Sequence, residues 1–78
     1  MNKQDNIVNL KAKKILAEAL SLNYWEINDK ASPTIYDNWD SLNHVKLIML
    51  IESEIERKLE IIEILSIDNL EKIKKIIS

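Results

Sequence analysis

The 78-residue sequence contains no cysteine and no glycine, and Pro33 is its only proline. Without cysteine, neither a disulfide nor a thiolate metal site can stabilise the fold, so stability must come from an apolar core. Without glycine, the chain lacks the residue best suited to hairpin turns and phosphate-binding loops. These absences argue against an all-β fold, a P-loop and a dinucleotide-binding fingerprint.

Long apolar runs are also missing, because charged residues interrupt every stretch before it reaches the length of a bilayer-spanning helix. The N-terminus has no apolar segment of the signal-peptide type, so we expect a cytoplasmic protein with no membrane partner. The formal net charge of −2 argues against a nucleic-acid partner, because phosphate binding needs clustered cations. The early lysines are better explained by a solvated helix face than by an RNA contact. They are Lys3, Lys11, Lys13 and Lys14.

Hydrophobic residues make up 46% of the chain, which is enough for one core in a domain of this small size. Their periodicity predicts an all-α fold in which three main helices and one short helix form a single domain over residues 1–78. The first helix is predicted over residues 5–20, with Asp5 or Asn6 as its N-cap. Its inward face is predicted to comprise Ile7, Leu10, Ile15, Leu16, Ala19 and Leu20.

A long connection, roughly residues 21–39, follows the first helix. Loops of this length are uncommon in compact domains and are often functional. Ser32 and Pro33 are predicted to open a short helical turn within it. We expect the connection to pack over the bundle through its large apolar side chains, which are Tyr24, Trp25, Ile27, Ile35, Tyr36 and Trp39.

The rest of the chain predicts two further main helices and one short one. The second helix is expected over about residues 41–58 with Asp40 as its N-cap, and residues 61–65 are expected to form one or two helical turns. The last helix is predicted to start with a capping box in which Asp68 is the cap and Glu71 reaches back. Its inward face is predicted to comprise Leu70, Ile73, Ile76 and Ile77.

The second helix carries two apolar stripes. The first has the spacing of a core face and consists of Leu47, Ile48, Ile51 and Ile55, with Leu59 as a possible extension. The second, which we call the outer stripe, consists of Leu42, Val45 and Met49. Periodicity leaves two interpretations open: one wide buried face, or a core stripe together with an exposed docking stripe for a transient partner.

Ser41 stands where the long connection meets the second helix, directly after Asp40. We therefore expect its hydroxyl to be exposed. A phosphate attached there would lie near the free amides and the positive end of the helix dipole. For an arbitrary Asp-Ser pair, however, a simple helix cap is the more common explanation.

Asp40-Ser41-Leu42, followed by an amphipathic helix that carries Glu52 near its end, resembles the acyl carrier protein family. The resemblance covers nearly the whole chain, from the first helix and long loop to the short third helix and the closing helix. It implies that a phosphopantetheinyl transferase moves 4′-phosphopantetheine from coenzyme A onto Ser41, with Asp40 helping to place the metal used in that transfer. It also implies partner contacts at the outer stripe and Glu52.

The same resemblance implies a monomeric, non-enzymatic carrier whose arm holds acyl or aminoacyl groups as thioesters. Departures from the fatty-acid carriers point to a specialised pathway, with an acyl- or aminoacyl-loading ligase and downstream enzymes as partners. Asn38 replaces their usual glycine, and Trp39 directly precedes the aspartate. The recognition side of their second helix is strongly acidic, whereas the matching positions of this chain include the non-acidic residues Asn43, Lys46 and Ser53.

His44, the outer stripe and the later acids each allow another interpretation. His44 lies one turn from Ser41, but no third group is evident to orient its ring, so we predict a surface histidine rather than a catalytic residue or a zinc ligand. The outer stripe would also suit a small helical adaptor in which Ser41 is only a cap. The spacing of the later acids matches no calcium loop and favours a solvated face, comprising Glu52, Glu54, Glu56, Glu60 and Glu63.

Overall fold

The computed structural model describes residues 3–78 and is all-helical over that range, which confirms the predicted fold class. Among these residues no helix is both long and apolar enough to cross a bilayer. A 3₁₀ turn, Tyr24–Glu26, lies in the connection after the first helix. The four α-helices are α1 Lys3–Leu20, α2 Ser41–Ile55, α3 Ile61–Ser66 and α4 Leu70–Ile77.

The core lies between the three longer helices, because α1 packs against both α2 and α4, and α2 also contacts α4. The predicted core stripe of α2 is confirmed, since Leu47, Ile48 and Ile51 are buried, and Leu59 beyond the helix is buried too. On α4, the predicted inward residues Leu70 and Ile73 are fully buried, and the last turn is partly buried. The largest side chains with almost no solvent contact are Leu16, Leu47, Ile51, Leu70 and Ile73.

The start of α1 differs from the prediction. The helix begins at Lys3, so Asp5 and Asn6 lie within it and neither occupies the N-cap position. Ile7 and Leu10 are exposed rather than inward-facing, whereas Leu16, Ala19 and Leu20 are buried as predicted. The reason is helical position: the buried face of α1 runs through Ala12, Leu16, Ala19 and Leu20. At roughly 100° per residue, Ile7 lies about 180° and Leu10 about 120° around the helix from Leu16, so both face solvent.

The long connection packs over the bundle in part. Trp39 and Ile27 are buried in the core, and Tyr36 is half-buried. The Tyr36 hydroxyl also links two parts of the connection, because it donates to the Glu26 carbonyl and accepts from the Asn28 amide, both at 2.8 Å. The prediction was wrong for the exposed side chains Tyr24, Trp25 and Ile35.

Two short features of the connections match the sequence. The carbonyl of Ser32 accepts hydrogen bonds from the amides of Ile35 and Tyr36, which forms the single turn predicted at Ser32 and Pro33. The short third helix is also present, and the Glu60 amide donates to the Glu63 carboxylate at 2.8 Å where it starts.

The end of α2 comes three residues earlier than predicted. Glu56 adopts the left-handed conformation, with φ 58°, and this stops the helix after Ile55. Such conformations usually favour glycine, which this chain lacks. The Glu52 carboxylate then accepts the Leu59 amide at 2.8 Å, which fixes the turn into α3.

The N-cap of α4 is one residue later than predicted. The Asn69 side chain, not Asp68, accepts the amide of Lys72 at 2.9 Å. Asp68 instead forms an exposed ion pair with Lys72 at 3.2 Å, and Glu71 pairs with Lys74 rather than reaching back.

Candidate functional site

Ser41 is the first residue of α2, and its side chain is exposed as predicted. Asp40 is the N-cap: its carboxylate accepts the Asn43 amide at 2.9 Å, and its carbonyl accepts the His44 amide at 2.8 Å. The Ser41 hydroxyl has no hydrogen-bond partner among the described side chains, which begin at residue 6, or the described backbone; capping is performed by Asp40 and leaves Ser41 unengaged.

The connection is anchored directly before Ser41. The side-chain amide of Asn38 donates to the Leu20 carbonyl at the end of α1, at 2.7 Å. The Asn43 side chain in turn donates to the Asn38 carbonyl, also at 2.7 Å. Asn38 therefore ties α1 to the start of α2.

The outer stripe lies on the surface. Leu42, Val45 and Met49 are 72%, 57% and 63% exposed. Of the two interpretations left open by periodicity, the structure therefore has the core stripe with a separate exposed stripe. A second exposed apolar face lies on α3, where the side chains of Ile61, Ile62 and Leu65 are at least 75% exposed.

A groove of about 420 Å³ lies directly beside Ser41. Its walls come from the connection, the start of α2, and the segment from α3 onward. Most of these walls are apolar, and Asp40 is the only carboxylate among the lining residues. The lining residues are Pro33, Trp39, Asp40, Ser41, His44, Leu65 and Ile67.

His44 lines this groove and is half-buried, so it is less exposed than the surface histidine that the sequence predicts. Its Nδ1 lies 3.0 Å from the indole nitrogen of Trp39, and its Nε2 lies 3.0 Å from the Ile64 carbonyl. Because an indole N–H can only donate, Nδ1 accepts, and Nε2 carries the proton that is donated to Ile64. Both ring nitrogens are occupied, so neither is available to deprotonate the Ser41 hydroxyl.

Glu52, which the resemblance places among the partner contacts, is half-buried. One of its oxygens accepts the Leu59 amide at 2.8 Å, and the other lies 3.7 Å from the Lys58 ammonium. This carboxylate thus closes the turn between α2 and α3, a role that the sequence did not indicate.

Glu63 on α3 is also engaged within the chain. The Arg57 guanidinium donates to both of its carboxylate oxygens, at 2.9 and 3.1 Å. These hydrogen bonds, with that from the Glu60 amide, lower the pKa of Glu63 from 4.5 to about 2. The same contact raises the pKa of Arg57. Two acids near the exposed apolar faces, Glu52 and Glu63, are therefore partly neutralised by neighbours.

The early lysines whose side chains are described make contacts within the domain. Lys11 pairs with Glu54, and Lys13 pairs with Asp29, each at 2.8 Å. The hydrogen bond from Lys13 lowers the pKa of Asp29. The Lys14 ammonium lies 5.5 Å from the centre of the Tyr24 ring. Each of these lysines therefore has an acidic or aromatic neighbour within the domain.

Across the described part of the chain, no group of three or more histidine, aspartate or glutamate side chains is arranged to hold a metal ion. No protein-family model matches the chain, and no curated protein matches it. A function therefore rests on the chemistry and geometry of the chain's own residues.

Proposed function

We propose that the chain is a carrier protein that holds acyl or aminoacyl groups as thioesters on a 4′-phosphopantetheine arm at Ser41. It would deliver them to the partner enzymes of a specialised biosynthetic pathway. The observation that carries this proposal is an exposed Ser41 hydroxyl at the first position of α2, beside an exposed apolar stripe and without a hydrogen-bond partner in the part of the chain whose atoms are described.

The required chemistry at Ser41 is a single group transfer. The Oγ atom forms a bond to the phosphorus of the pantetheine phosphate, the bond to the nucleotide part of coenzyme A breaks, and the hydroxyl proton passes to the transferase. An exposed hydroxyl suits this reaction because the attacking oxygen must reach the active site of another protein. The phosphodiester that results is an anion at the start of a helix, where the helix dipole favours it.

A tethered thioester explains why a small domain without a catalytic group would be useful. The tether gives each partner enzyme a high effective concentration of its substrate, provided that the partner docks near the attachment point. The outer stripe begins one residue after Ser41 and offers such a docking point.

Charge on this surface supports partners other than those of strongly acidic fatty-acid carriers. Lys46 is exposed on α2, and the carboxylates of Glu52 and Glu63 are engaged with cations of the chain itself. Complementary charge chiefly sets partner choice and association rate. Efficient loading and elongation of the modified protein by general fatty-acid enzymes would contradict this part of the proposal.

Intact-mass measurement tests the attachment. The protein is incubated with coenzyme A, Mg²⁺ and a broad-specificity phosphopantetheinyl transferase, and we expect a gain of one phosphopantetheine. Ser41→Ala should abolish the gain, whereas Ser53→Ala, which alters another exposed serine of α2, should retain it. A folded native protein that gains no mass would overturn the proposal, as would a gain that persists in Ser41→Ala.

The exposed apolar faces of α2 and α3 also favour a second candidate, a helical adaptor that binds a partner through the outer stripe. Complementation of a deletion strain separates the two candidates. For an adaptor, Ser41→Ala restores function and Met49→Glu does not. For a carrier, neither variant restores it.

A further inference from the structure

One hydrogen-bond chain joins three parts of the molecule through His44. It runs from the indole N–H of Trp39, in the connection, through the imidazole of His44 on α2, to the carbonyl of Ile64 on α3. Both bonds are 3.0 Å long, and the indole and imidazole rings are stacked with their planes 24° apart. The chain thus links α3 to the residue two positions before Ser41.

Helix α3 depends on such links because it has little hold on the core. It is six residues long and none of them is fully buried. Ile64 packs partly against the core, while Ile61, Ile62 and Leu65 face solvent. Polar contacts to the preceding turn are made by Glu63, with the Arg57 guanidinium and with the Glu60 amide.

The hydrogen bonds around His44 require a neutral ring. The indole of Trp39 can only donate, so Nδ1 must be unprotonated to accept it. An imidazolium donates from both nitrogens, and two donors would then face each other across 3.0 Å. Because Trp39 is buried in the core, the His44 ring is the partner that turns away, and turning takes Nε2 from the Ile64 carbonyl. Histidine is the residue type that changes charge in the physiological pH range.

The charged groups around the ring are few. The connection contributes Asp40, which lines the same groove and whose carboxylate accepts the Asn43 amide. On α3, Glu63 precedes Ile64 and is bound by Arg57. Beyond α3, Asp68 follows the lining residue Ile67 and pairs with Lys72. None of them forms a hydrogen bond or ion pair with the His44 ring in the part of the chain that the structure describes.

We propose that Trp39, His44 and Ile64 form a pH-sensitive latch that holds α3 against the connection, and that protonation of His44 releases α3. Release would separate the Leu65 wall from the rest of the groove beside Ser41, and would move the exposed face of α3 relative to the outer stripe. This device is a property of the fold and does not depend on whether Ser41 carries an arm.

Nuclear magnetic resonance on the ¹⁵N-labelled full chain tests the latch. At pH 8 we expect His44 to be the neutral tautomer with its proton on Nε2. Between pH 8 and pH 5, the Trp39 indole signal should shift, while that of exposed Trp25 serves as an internal control. Over the same range, the exchange protection of the α3 amides, referred to an unstructured chain at each pH, should fall about tenfold. The amides of α4 should keep their protection.

Two variants test whether opposition between the donors of Trp39 and protonated His44 causes the loss of α3 protection. His44→Phe keeps an aromatic ring but lacks both nitrogens, so α3 protection should already be about tenfold lower at pH 8 and should show no step on acidification. Trp39→Phe removes the opposing donor together with part of a buried ring, and a protonated His44 still donates to Ile64, so α3 in this variant should be as protected at pH 5 as at pH 8. The second variant keeps the test decisive if the first does not fold.

Three results would overturn the proposal. The first is unchanged α3 protection in the native protein between pH 8 and pH 5. The second is a step of the native size in folded His44→Phe. The third is a step of the native size in Trp39→Phe, since opposition between two donors would then not be its cause.

Discussion

Asn69 closes the start of α4 by accepting the Lys72 amide at 2.9 Å. The contacts of neighbouring Asp68 are exposed: an ion pair with the Lys72 side chain and a 3.3 Å hydrogen bond from the Asn69 side-chain amide. We expect Asn69→Ala to lower the free energy of unfolding by about 1 kcal/mol, because an amide of the first turn loses its acceptor. Asp68→Ala should change it by less than about 0.5 kcal/mol. Urea unfolding of both variants measures the difference, and a larger effect at Asp68 would show that the cap is misplaced.

The start of α4 shows how closely single residues can predict where a helix begins. Aspartate and asparagine are nearly equal as N-caps, so two adjacent candidates leave the register of a helix open by one residue. Burial of Leu70 and Ile73 sets that register in the folded chain. At α2 the predicted cap, Asp40, is confirmed.

The pair formed by Arg57 and Glu63 gives the protein a defined acid sensitivity. Since hydrogen bonds from Arg57 and the Glu60 amide lower the pKa of Glu63 from 4.5 to about 2, the folded state favours the charged carboxylate. The stabilisation is therefore complete above about pH 4.5 and is lost as the pH falls towards 2. Thermal unfolding midpoints across this range should decline less steeply for Glu63→Gln than for the native protein. Glu18→Gln, an exposed charge change on α1, should follow the native decline; an identical decline in all three would contradict the prediction.

At the scale of an element, α2 presents two apolar stripes with different energetic roles. Ile51 has no solvent-exposed surface, so Ile51→Ala should lower the free energy of unfolding by about 2–5 kcal/mol through lost burial and a cavity. Met49 is 63% exposed, so Met49→Ala should change it by less than about 0.5 kcal/mol. Urea unfolding of the two variants provides the comparison. A substantial loss of stability in Met49→Ala would mean that the outer stripe is part of the core.

Periodicity was sufficient to predict the number, order and approximate positions of the helices, because each long helix needs one apolar face. It could not show which apolar residues in the first turns of α1 lie on the buried face, so Ile7 and Leu10 are predicted to face inward although they are exposed. Nor could it find the contact between His44 and Ile64, since every residue offers a carbonyl and the two positions lie 20 residues apart. Identifying Ser41 as the candidate site needed only its local position and the family resemblance, whereas the groove beside it depends on the packing of Trp39 and Leu65.

For the whole molecule, stability depends on one apolar cluster. The chain has no cysteine for a disulfide, and among the described residues there is no metal-binding group. The cluster joins α1, α2 and α4 with residues of the connection, including Ile27 and Trp39. Since each of these parts buries its apolar surface against the others, none can keep its share of the core after the others separate.

This arrangement predicts a single cooperative unfolding transition. In Trp25→Phe, the remaining tryptophan is Trp39, which is only 6% exposed and so reports on the core. At pH 8, its fluorescence and the far-ultraviolet circular dichroism of the helices should change with the same midpoint in urea. The free energy of unfolding should fall by about 1 kcal/mol for each molar increase in urea. A fluorescence midpoint at lower urea would show that the connection leaves the core before the helices unfold. Coincident midpoints mean that the segment preceding Ser41 is held by the same cooperative core as the helices, so the position of Ser41 persists until the whole domain unfolds.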